Sequence, residues 1–205
     1  MKRFSELMAG QTLLPIIQAD SVEQGILIAK AMANAELKVV EVVLRSESSL
    51  ETLTAIKEEL PELVVGAGTV LDKHILAEAL LAKPDYIVTP CCTPDLLRAL
   101  VDSNVVALPG VANCADIALA RDAGFPELKL FPASLAGGIP FLKAVSSVFQ
   151  DTSFCPTGGI NADNKNDFLA LPNVVAVGGT WVAKKEWVEA ENWEAITQAC
   201  CAANL

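Results

Sequence analysis

Short apolar, β-branched runs alternate with helical patterns along most of this chain. The runs carry few polar positions, which is typical of strands that are buried on both faces. They occupy residues 13–17, 39–44, 63–68, 86–90, 105–110, 128–132, 154–159 and 174–179. The helical patterns between them include residues 21–35, 48–60, 72–82 and 114–124. This alternation predicts a parallel sheet of the α/β class.

The number of strand-like runs favours a closed sheet over an open one. Eight runs in 205 residues suit a (β/α)₈ barrel, or TIM barrel, near the lower end of its size range. An open doubly wound sheet is the alternative, but no long crossover separates the runs. We expect residues 1–205 to form one barrel domain with a short N-terminal helix. In such a barrel the active site lies at the carboxyl ends of the strands.

Composition limits the partners and the location. Hydrophobic residues make up 52% of the chain and the formal net charge is -10, with fifteen scattered Lys and Arg. This balance argues against nucleic acid and against an anionic membrane surface as partner. Glu6 interrupts the N-terminal segment before it reaches signal-peptide length, and no run approaches the roughly 18 apolar residues of a membrane helix. Six cysteines without a CxxC spacing favour free thiols. We therefore expect a cytoplasmic protein.

The single histidine, His74, lies in a helical pattern among polar neighbours. We interpret it as a solvated helix residue. With one poorly placed histidine, a Ser-His-Asp triad and a His-rich zinc site are both implausible. The sequence therefore offers no histidine-based metal site, and we expect no cofactor.

Lys129 is the one charged residue in the apolar stretch "LKLF". Strand parity places Lys129 and Phe131 on the same face. Burying an unpaired charge costs several kcal/mol or more, roughly, so a buried lysine is paired, neutral or functional. One interpretation is a nucleophilic amine that forms a Schiff base with a ketone. The alternative is a lysine at the rim or in an ion cluster.

Glu41 stands among five aliphatic residues in "KVVEVVL". Parity places Val39, Glu41, Val43 and Arg45 on one face. A carboxyl group in an apolar channel suits proton transfer, and a buried salt bridge with Lys129 or Arg45 is the alternative. Both interpretations bring the charged groups of Glu41, Lys129 and Arg45 close together inside the barrel. An amine that carries the carbon skeleton, a proton shuttle and a carboxylate clamp are what Schiff-base chemistry on a keto acid needs.

Two glycine pairs follow the last two predicted strands, in "PTGGI" (156–160) and "VGGT" (177–180). Such turns leave backbone N–H groups open to an anion, and the loops after these two strands are the recurrent phosphate site of the barrel. The alternative is that tight turns simply require glycine. The predicted phosphate-binding residues are Thr157, Gly158, Gly159, Gly179 and Thr180.

Five motifs, in order along nearly the whole chain, resemble those of one enzyme family. They are "EVVLRSE", "VVGAGTVL", "LKLFPAS", "FCPTGGI" and "VGGTW". Together they resemble the 2-keto-3-deoxy-6-phosphogluconate (KDPG) aldolases. These are metal-free class I aldolases that also act on 4-hydroxy-2-oxoglutarate (KHG) and form homotrimers of (β/α)₈ barrels.

The resemblance implies a reaction and a role for each candidate residue. KDPG would be cleaved to pyruvate and glyceraldehyde 3-phosphate, and KHG to pyruvate and glyoxylate. Lys129 would be the Schiff-base lysine and Glu41 the proton-transfer residue, while the glycine pairs would hold the phosphate. The residues that would bind the pyruvate portion or shape its pocket are Arg45, Thr69, Pro90 and Phe131.

Several stretches depart from the family pattern. Arg45 is followed by Ser46 where the family often has Thr, Cys91 and Cys92 replace a glycine-containing stretch, and Ser134 stands where Glu is common. The stretch "PGVANCADI" also differs from the usual pattern. These departures leave the lysine chemistry untouched but leave the aldehyde partner open.

Two alternatives to KDPG cleavage remain on sequence grounds. The first is cleavage of the galactonate-type substrate, because the sequence does not fix the configuration at C4. The second is another phosphate-binding barrel enzyme, such as a sugar-phosphate isomerase or synthase, in which Lys129 only binds an anion. A sugar-phosphate sensor without catalysis has no support, since all three charged residues are retained.

Overall fold

The computed structural model describes residues 3–204, which form ten helices and nine strands in an alternating order. The strands are β1 (Leu13–Ile17), β2 (Val39–Val43), β3 (Val64–Gly68), β4 (Tyr86–Val88), β5 (Val106–Leu108), β6 (Gly110–Val111), β7 (Glu127–Leu130), β8 (Ser153–Pro156) and β9 (Val177–Gly179). The helices are α1 (Phe4–Met8), α2 (Val22–Asn34), α3 (Ser49–Glu59), α4 (Lys73–Leu81), α5 (Pro94–Ser103), α6 (Cys114–Asp122), α7 (Gly138–Ser146), α8 (Lys165–Leu169), α9 (Lys185–Glu189) and α10 (Trp193–Ala203).

Capping side chains begin five of the helices. In each case a side-chain oxygen accepts a hydrogen bond from a backbone N–H of the first turn, which satisfies a donor that the helix itself leaves unpaired. The five residues, for α2, α4, α5, α6 and α10, are Ser21, Asp72, Thr93, Asn113 and Asn192. The four helical patterns named from the sequence are confirmed as α2, α3, α4 and α6.

The strands are all parallel and curl into a half-barrel, which confirms the predicted α/β class. One sheet has six strands in the order β5-β4-β3-β2-β1-β9, and the other has three in the order β6-β7-β8. Pro109 separates β5 from β6 because proline has no N–H for the ladder. The predicted strand at 105–110 is therefore two strands.

The predicted eight-stranded ladder is not closed. Between β8 and β9 the chain pairs only at isolated bridges, Phe154 with Val174 and Thr157 with Gly178. The sheet is therefore interrupted both at Pro109 and between its last two strands. The prediction of a closed barrel is confirmed only as far as the curled parallel α/β fold.

Apolar side chains form two clusters on opposite faces of the curled strands. The larger cluster lies between the strands and the helices and includes Val40, Val65 and Ile87. The smaller one fills the concave face and includes Leu14, Tyr86 and Cys155 of the strands together with Phe4 and Met8 of α1. Helix α1 therefore covers one end of the concave face.

A buried carboxylate holds α1 in this position. Glu127 accepts hydrogen bonds from Ser5 N at 2.9 Å and from Ser5 Oγ at 2.6 Å. The ring of Phe4 packs edge-on against Tyr86, with 5.2 Å between ring centroids. Polar capping and aromatic packing thus fix the same helix.

Two expectations drawn from composition concern the cysteines and the membrane. All six thiols are free. Within residues 3–204, no helix is both long enough and apolar enough to cross a membrane. His74 lies exposed in the first turn of α4, as its polar neighbours suggest.

Candidate active site

Glu41 of β2 and Lys129 of β7 meet inside the curled sheet. Lys129 Nζ lies 3.4 Å from Glu41 Oε1, and the two side chains are 6% and 0% exposed. They are 88 residues apart in sequence, so only the curl of the sheet brings them together. Of the two ion pairs that the sequence allowed for Glu41, the structure contains the one with Lys129.

The position of the Glu41 carboxylate depends on a glycine in the neighbouring strand. Gly68 of β3 pairs with Val43 of β2, and a methyl group at Gly68 would overlap Glu41 Oε1. Glu41 Oε2 is buried and has no hydrogen-bond partner among residues 3–204. The site therefore holds one carboxylate oxygen beside the lysine and leaves the other unpaired within the described residues.

A cavity of about 230 Å³ opens above this pair at the carboxyl ends of the strands. It is lined by all but two of the candidate residues named from the sequence. Those that line it are Glu41, Arg45, Lys129, Phe131, Thr157, Gly158, Gly159, Gly179 and Thr180.

Thr69 and Pro90 are the two candidates outside the cavity lining. Thr69 directly follows β3 with φ +65°, and Pro90 comes two residues after β4. Both are half-buried and lie at the same end of the sheet as the cavity. Contact of these two residues with a substrate stays a prediction.

Three apolar residues line the cavity although the sequence analysis did not propose them as site residues: Ile16, Val43 and Ile160. Ile16 pairs with Glu41 in the β1–β2 register, and Val43 lies two residues after Glu41 on the same face. Strand parity was therefore a usable signal for Val43, whereas Ile160 belongs to a loop without a periodic pattern. These side chains give the cavity an apolar wall.

The surroundings of Lys129 are aromatic on one side and contain a neutral thiol on the other. Lys129 Nζ lies 5.4 Å from the centroid of the Phe131 ring. In the next strand Cys155 pairs with Lys129, and burial raises the pKa of the Cys155 thiol to about 12 although the Lys129 charge opposes this. The thiol is therefore protonated at neutral pH, which leaves the lysine as the nucleophile on this face.

Arg45 supplies a positive charge at the mouth of the cavity. Arg45 is exposed to solvent, and it forms no ion pair with any residue between 3 and 204. An arginine fork matches the geometry of a carboxylate and binds it through two parallel hydrogen bonds. The mouth can thus hold an anionic group next to the buried amine.

A larger cavity of about 540 Å³ meets the candidate site at Thr180. Its charged lining residues, which include Asp20, Lys184 and Glu186, are exposed to solvent. It contains no buried ionisable pair comparable to Glu41 and Lys129. Chemistry that needs a desolvated amine is therefore better placed in the smaller cavity.

No group of three or more His, Cys, Asp or Glu residues within 3–204 is arranged to hold a metal ion. The side chains of the cavity instead supply an amine, a carboxylate, a guanidinium group and two hydroxyls. This set can form an imine with a ketone, move a proton and bind two anionic groups.

Comparison with known proteins links this geometry to one group of enzymes. The family model for KDPG and KHG aldolases matches residues 4–199. The 2-dehydro-3-deoxy-phosphogluconate aldolase of Pseudomonas aeruginosa is 42% identical over 194 residues, which cover 95% of this chain and 88% of that protein. The KHG/KDPG aldolase of Escherichia coli is 37% identical over 186 residues, which cover 91% and 87%.

A solved structure resembles the whole chain. The KDPG aldolase of Legionella pneumophila, with pyruvate captured at low pH as a covalent carbinolamine intermediate, matches with a TM-score of 0.96 at 34% identity. The match covers 100% of this chain and 99% of that one. The carbinolamine, which is the adduct that precedes a Schiff base, was observed in that protein.

Proposed function

Because the chain belongs to the KDPG and KHG aldolase family, we propose that it cleaves KDPG to pyruvate and glyceraldehyde 3-phosphate through a Schiff base, without a metal. It also cleaves KHG to pyruvate and glyoxylate, as the name of the Escherichia coli relative suggests. The observation that carries the proposal is the buried pair of Lys129 and Glu41 at the base of the cavity.

Lys129 provides the covalent step. Its amine attacks the C2 ketone to give a carbinolamine, and loss of water gives an iminium ion. The C4 hydroxyl then loses its proton as the C3–C4 bond breaks, and the electron pair of that bond moves into the iminium to form an enamine. The aldehyde leaves, the enamine is protonated at C3, and hydrolysis releases pyruvate and the free amine. The iminium is the electron sink, so this route needs no metal.

Glu41 moves the protons of this sequence. Its Oε1 lies beside the amine and its Oε2 has no partner within residues 3–204, so the carboxyl group can accept the C4 hydroxyl proton and later return a proton to C3. A carboxyl group within reach of the reacting atoms is a common general acid and base in such reactions.

The cavity lining divides between the two ends of the substrate. Arg45 binds the carboxylate of the pyruvate part, Thr69 and Pro90 border it, and Phe131 packs on its plane. The apolar wall encloses C3, which becomes the methyl carbon of pyruvate. The phosphate of the longer substrate binds at the rim, to Thr157, Gly158, Gly159, Gly179 and Thr180.

The family also supports a more complete picture of the assembly. We propose that the half-barrel is part of a single-domain (β/α)₈ barrel, with the isolated bridges between β8 and β9 at its seam. The barrel works as a homotrimer in the cytoplasm. Its partner is a small keto-acid sugar phosphate. The net charge of -10 on the chain disfavours nucleic acid and an anionic membrane surface as partners.

Steady-state cleavage assays test the reaction and the preferred substrate together. Pyruvate release is measured from KDPG, from its galactonate epimer at C4, and from KHG, each with and without EDTA. We expect release from KDPG and KHG at rates that EDTA does not change. Preference for the epimer would move the assignment to the galactonate type, and no release from any of the three would overturn an aldolase function.

A further inference from the structure

The backbone of the predicted phosphate loop is anchored by its carbonyl groups. The carbonyl of Thr157 accepts a hydrogen bond from Ala133 N at 2.8 Å, and the carbonyl of Gly158 accepts one from Ser134 N at 3.0 Å. Both donors belong to the segment that follows β7. Two successive peptide groups of the loop are thus held by main-chain bonds to the neighbouring strand end.

The third carbonyl in this row is held by a side chain. Asn164 Nδ2 donates to the carbonyl of Gly159 at 2.9 Å. The Asn164 amide is itself fixed, because Asn161 N donates to Asn164 Oδ1 at 2.9 Å while Asn164 N donates to Asn161 Oδ1 at 3.2 Å. This reciprocal pair closes the loop between Gly159 and α8.

Anchoring a carbonyl also sets the direction of an N–H. In a planar trans peptide, the N–H of the next residue points opposite to the carbonyl. The three anchors therefore turn the N–H groups of Gly158, Gly159 and Ile160 away from their carbonyl partners, and all three residues line the cavity. The N–H groups of Gly159 and Ile160 donate to no residue between 3 and 204. Successive backbone N–H groups that are left unpaired in a loop can form a concave anion site.

We propose that Asn164 is a positioning residue for the substrate phosphate, acting through the Gly159–Ile160 peptide. This inference rests on the proposed function, since it concerns the same cavity. Asn164 does not line the cavity. It holds the Gly159 carbonyl so that the Ile160 N–H faces the anion, and it is the one side chain among the three carbonyl anchors.

The proposal predicts an effect that depends on the substrate. In Asn164→Ala the Gly159–Ile160 peptide loses its anchor, and the phosphate loses one well-directed donor. We expect kcat/KM for KDPG to fall about tenfold, mainly through KM, because the variant weakens a hydrogen bond to the charged phosphate. Inhibition of KDPG cleavage by inorganic phosphate should weaken by a similar factor. Cleavage of KHG, which has no phosphate, should change less than about twofold.

Two further variants separate the anchor from general stability. Asn164→Asp keeps the side-chain oxygen that accepts from Asn161 N but loses the amide that donates to Gly159, so it should lose KDPG activity at least as strongly as Asn164→Ala. Asn192→Ala removes an asparagine side chain outside the cavity, which accepts from Ala195 N at 3.2 Å at the start of α10. It should leave the KDPG/KHG ratio unchanged.

The outcomes distinguish this inference from the proposed function. Equal losses on KDPG and KHG in Asn164→Ala would make Asn164 a structural residue only and overturn the inference. Unchanged kinetics on both substrates would overturn it as well. Failure of the wild-type protein to cleave either substrate would instead overturn the proposed function.

Discussion

Gly68 fixes the place of the proposed proton-transfer group. A methyl group there would overlap Glu41 Oε1, so Gly68→Ala should displace the carboxylate from Lys129. Because misplacement of a catalytic group by about 1 Å can cost about 10²-fold, we expect kcat for KDPG to fall at least tenfold, roughly. The measurement is steady-state cleavage, with circular dichroism as a check on folding.

A double-mutant cycle shows whether Gly68 acts through Glu41. In a Glu41→Gln background, Gly68→Ala should cost little more, because the group that it displaces has already lost its function. Losses that multiply in the double variant would mean that Gly68 acts by another route.

Glu41→Gln tests proton transfer at the same scale. The amide keeps the volume of the carboxyl group in its tight space but cannot exchange protons, so we expect turnover to fall by about 10²–10⁴-fold. Exchange of the pyruvate methyl protons with solvent is the direct measurement. If the variant keeps near wild-type exchange, Glu41 is structural, and the rate of imine trapping in the same variant reports any effect on Lys129.

Single residues differed in how well the sequence predicted them. Lys129 and Glu41 stand out because a charge in an apolar strand is costly and parity gives its face. The role of Gly68 could not be predicted in this way, because a small residue is needed there only to make room for the Glu41 side chain of the neighbouring strand. Asn164 acts through a loop peptide, and no periodic pattern predicts which carbonyl a loop side chain will bind.

At the scale of elements, one buried carboxylate makes both polar contacts described for α1 with Ser5. Glu127→Ala removes the acceptor of both Ser5 hydrogen bonds, so we expect the free energy of unfolding to fall by about 1–3 kcal/mol. Urea unfolding measures this. Ser5→Ala removes only the hydroxyl contact and should cost less. An unchanged free energy of unfolding in Glu127→Ala would show that apolar packing of α1 is sufficient.

Element positions followed from local chemistry wherever the signal was local. The bounds of α4 and α6 were predictable because Asp72 and Asn113 cap apolar periodic segments. The split of the strand at 105–110 was readable in principle from Pro109, which removes a ladder donor. The weak pairing of β8 with β9 could not be predicted from the sequence, because it depends on the three-dimensional arrangement of the two strands.

At the scale of the whole molecule, two buried thiols make stability depend on pH. Burial raises the pKa of Cys155 and of Cys200 to about 12 each, from 9.0. Above pH 9 the unfolded chain loses protons that the folded protein keeps. Unfolding therefore becomes easier as pH rises, by up to about 1.4 kcal/mol per pH unit for each thiol.

Urea unfolding at pH 8 and pH 10 tests this dependence. The double variant Cys155→Ala/Cys200→Ala should lose less stability between the two pH values than the wild type loses. Alanine has no group to titrate, so the difference between the two proteins isolates the thiols from other titrating residues. Identical losses would show that neither thiol contributes.

The overall architecture was predictable because eight apolar runs alternate with helical patterns, and this alone indicates a parallel α/β fold. The meeting of β2 and β7 across the concave face requires the curl of the sheet, which no local pattern encodes. Strand parity together with the predicted barrel nevertheless placed Lys129 and Glu41 on facing strands, and in the structure Lys129 Nζ lies 3.4 Å from Glu41 Oε1.

Covalent trapping tests the central claim most directly. Pyruvate is added together with borohydride, which reduces an imine to a stable amine, and peptide mass spectrometry then locates the adduct. The chain offers a matched internal control in Lys165, which is also buried but donates to the Ala203 carbonyl at 3.0 Å outside the cavity. We predict one adduct, on Lys129, and none in Lys129→Arg. An adduct on Lys165 or another lysine, or no adduct at all, would contradict the Schiff-base mechanism.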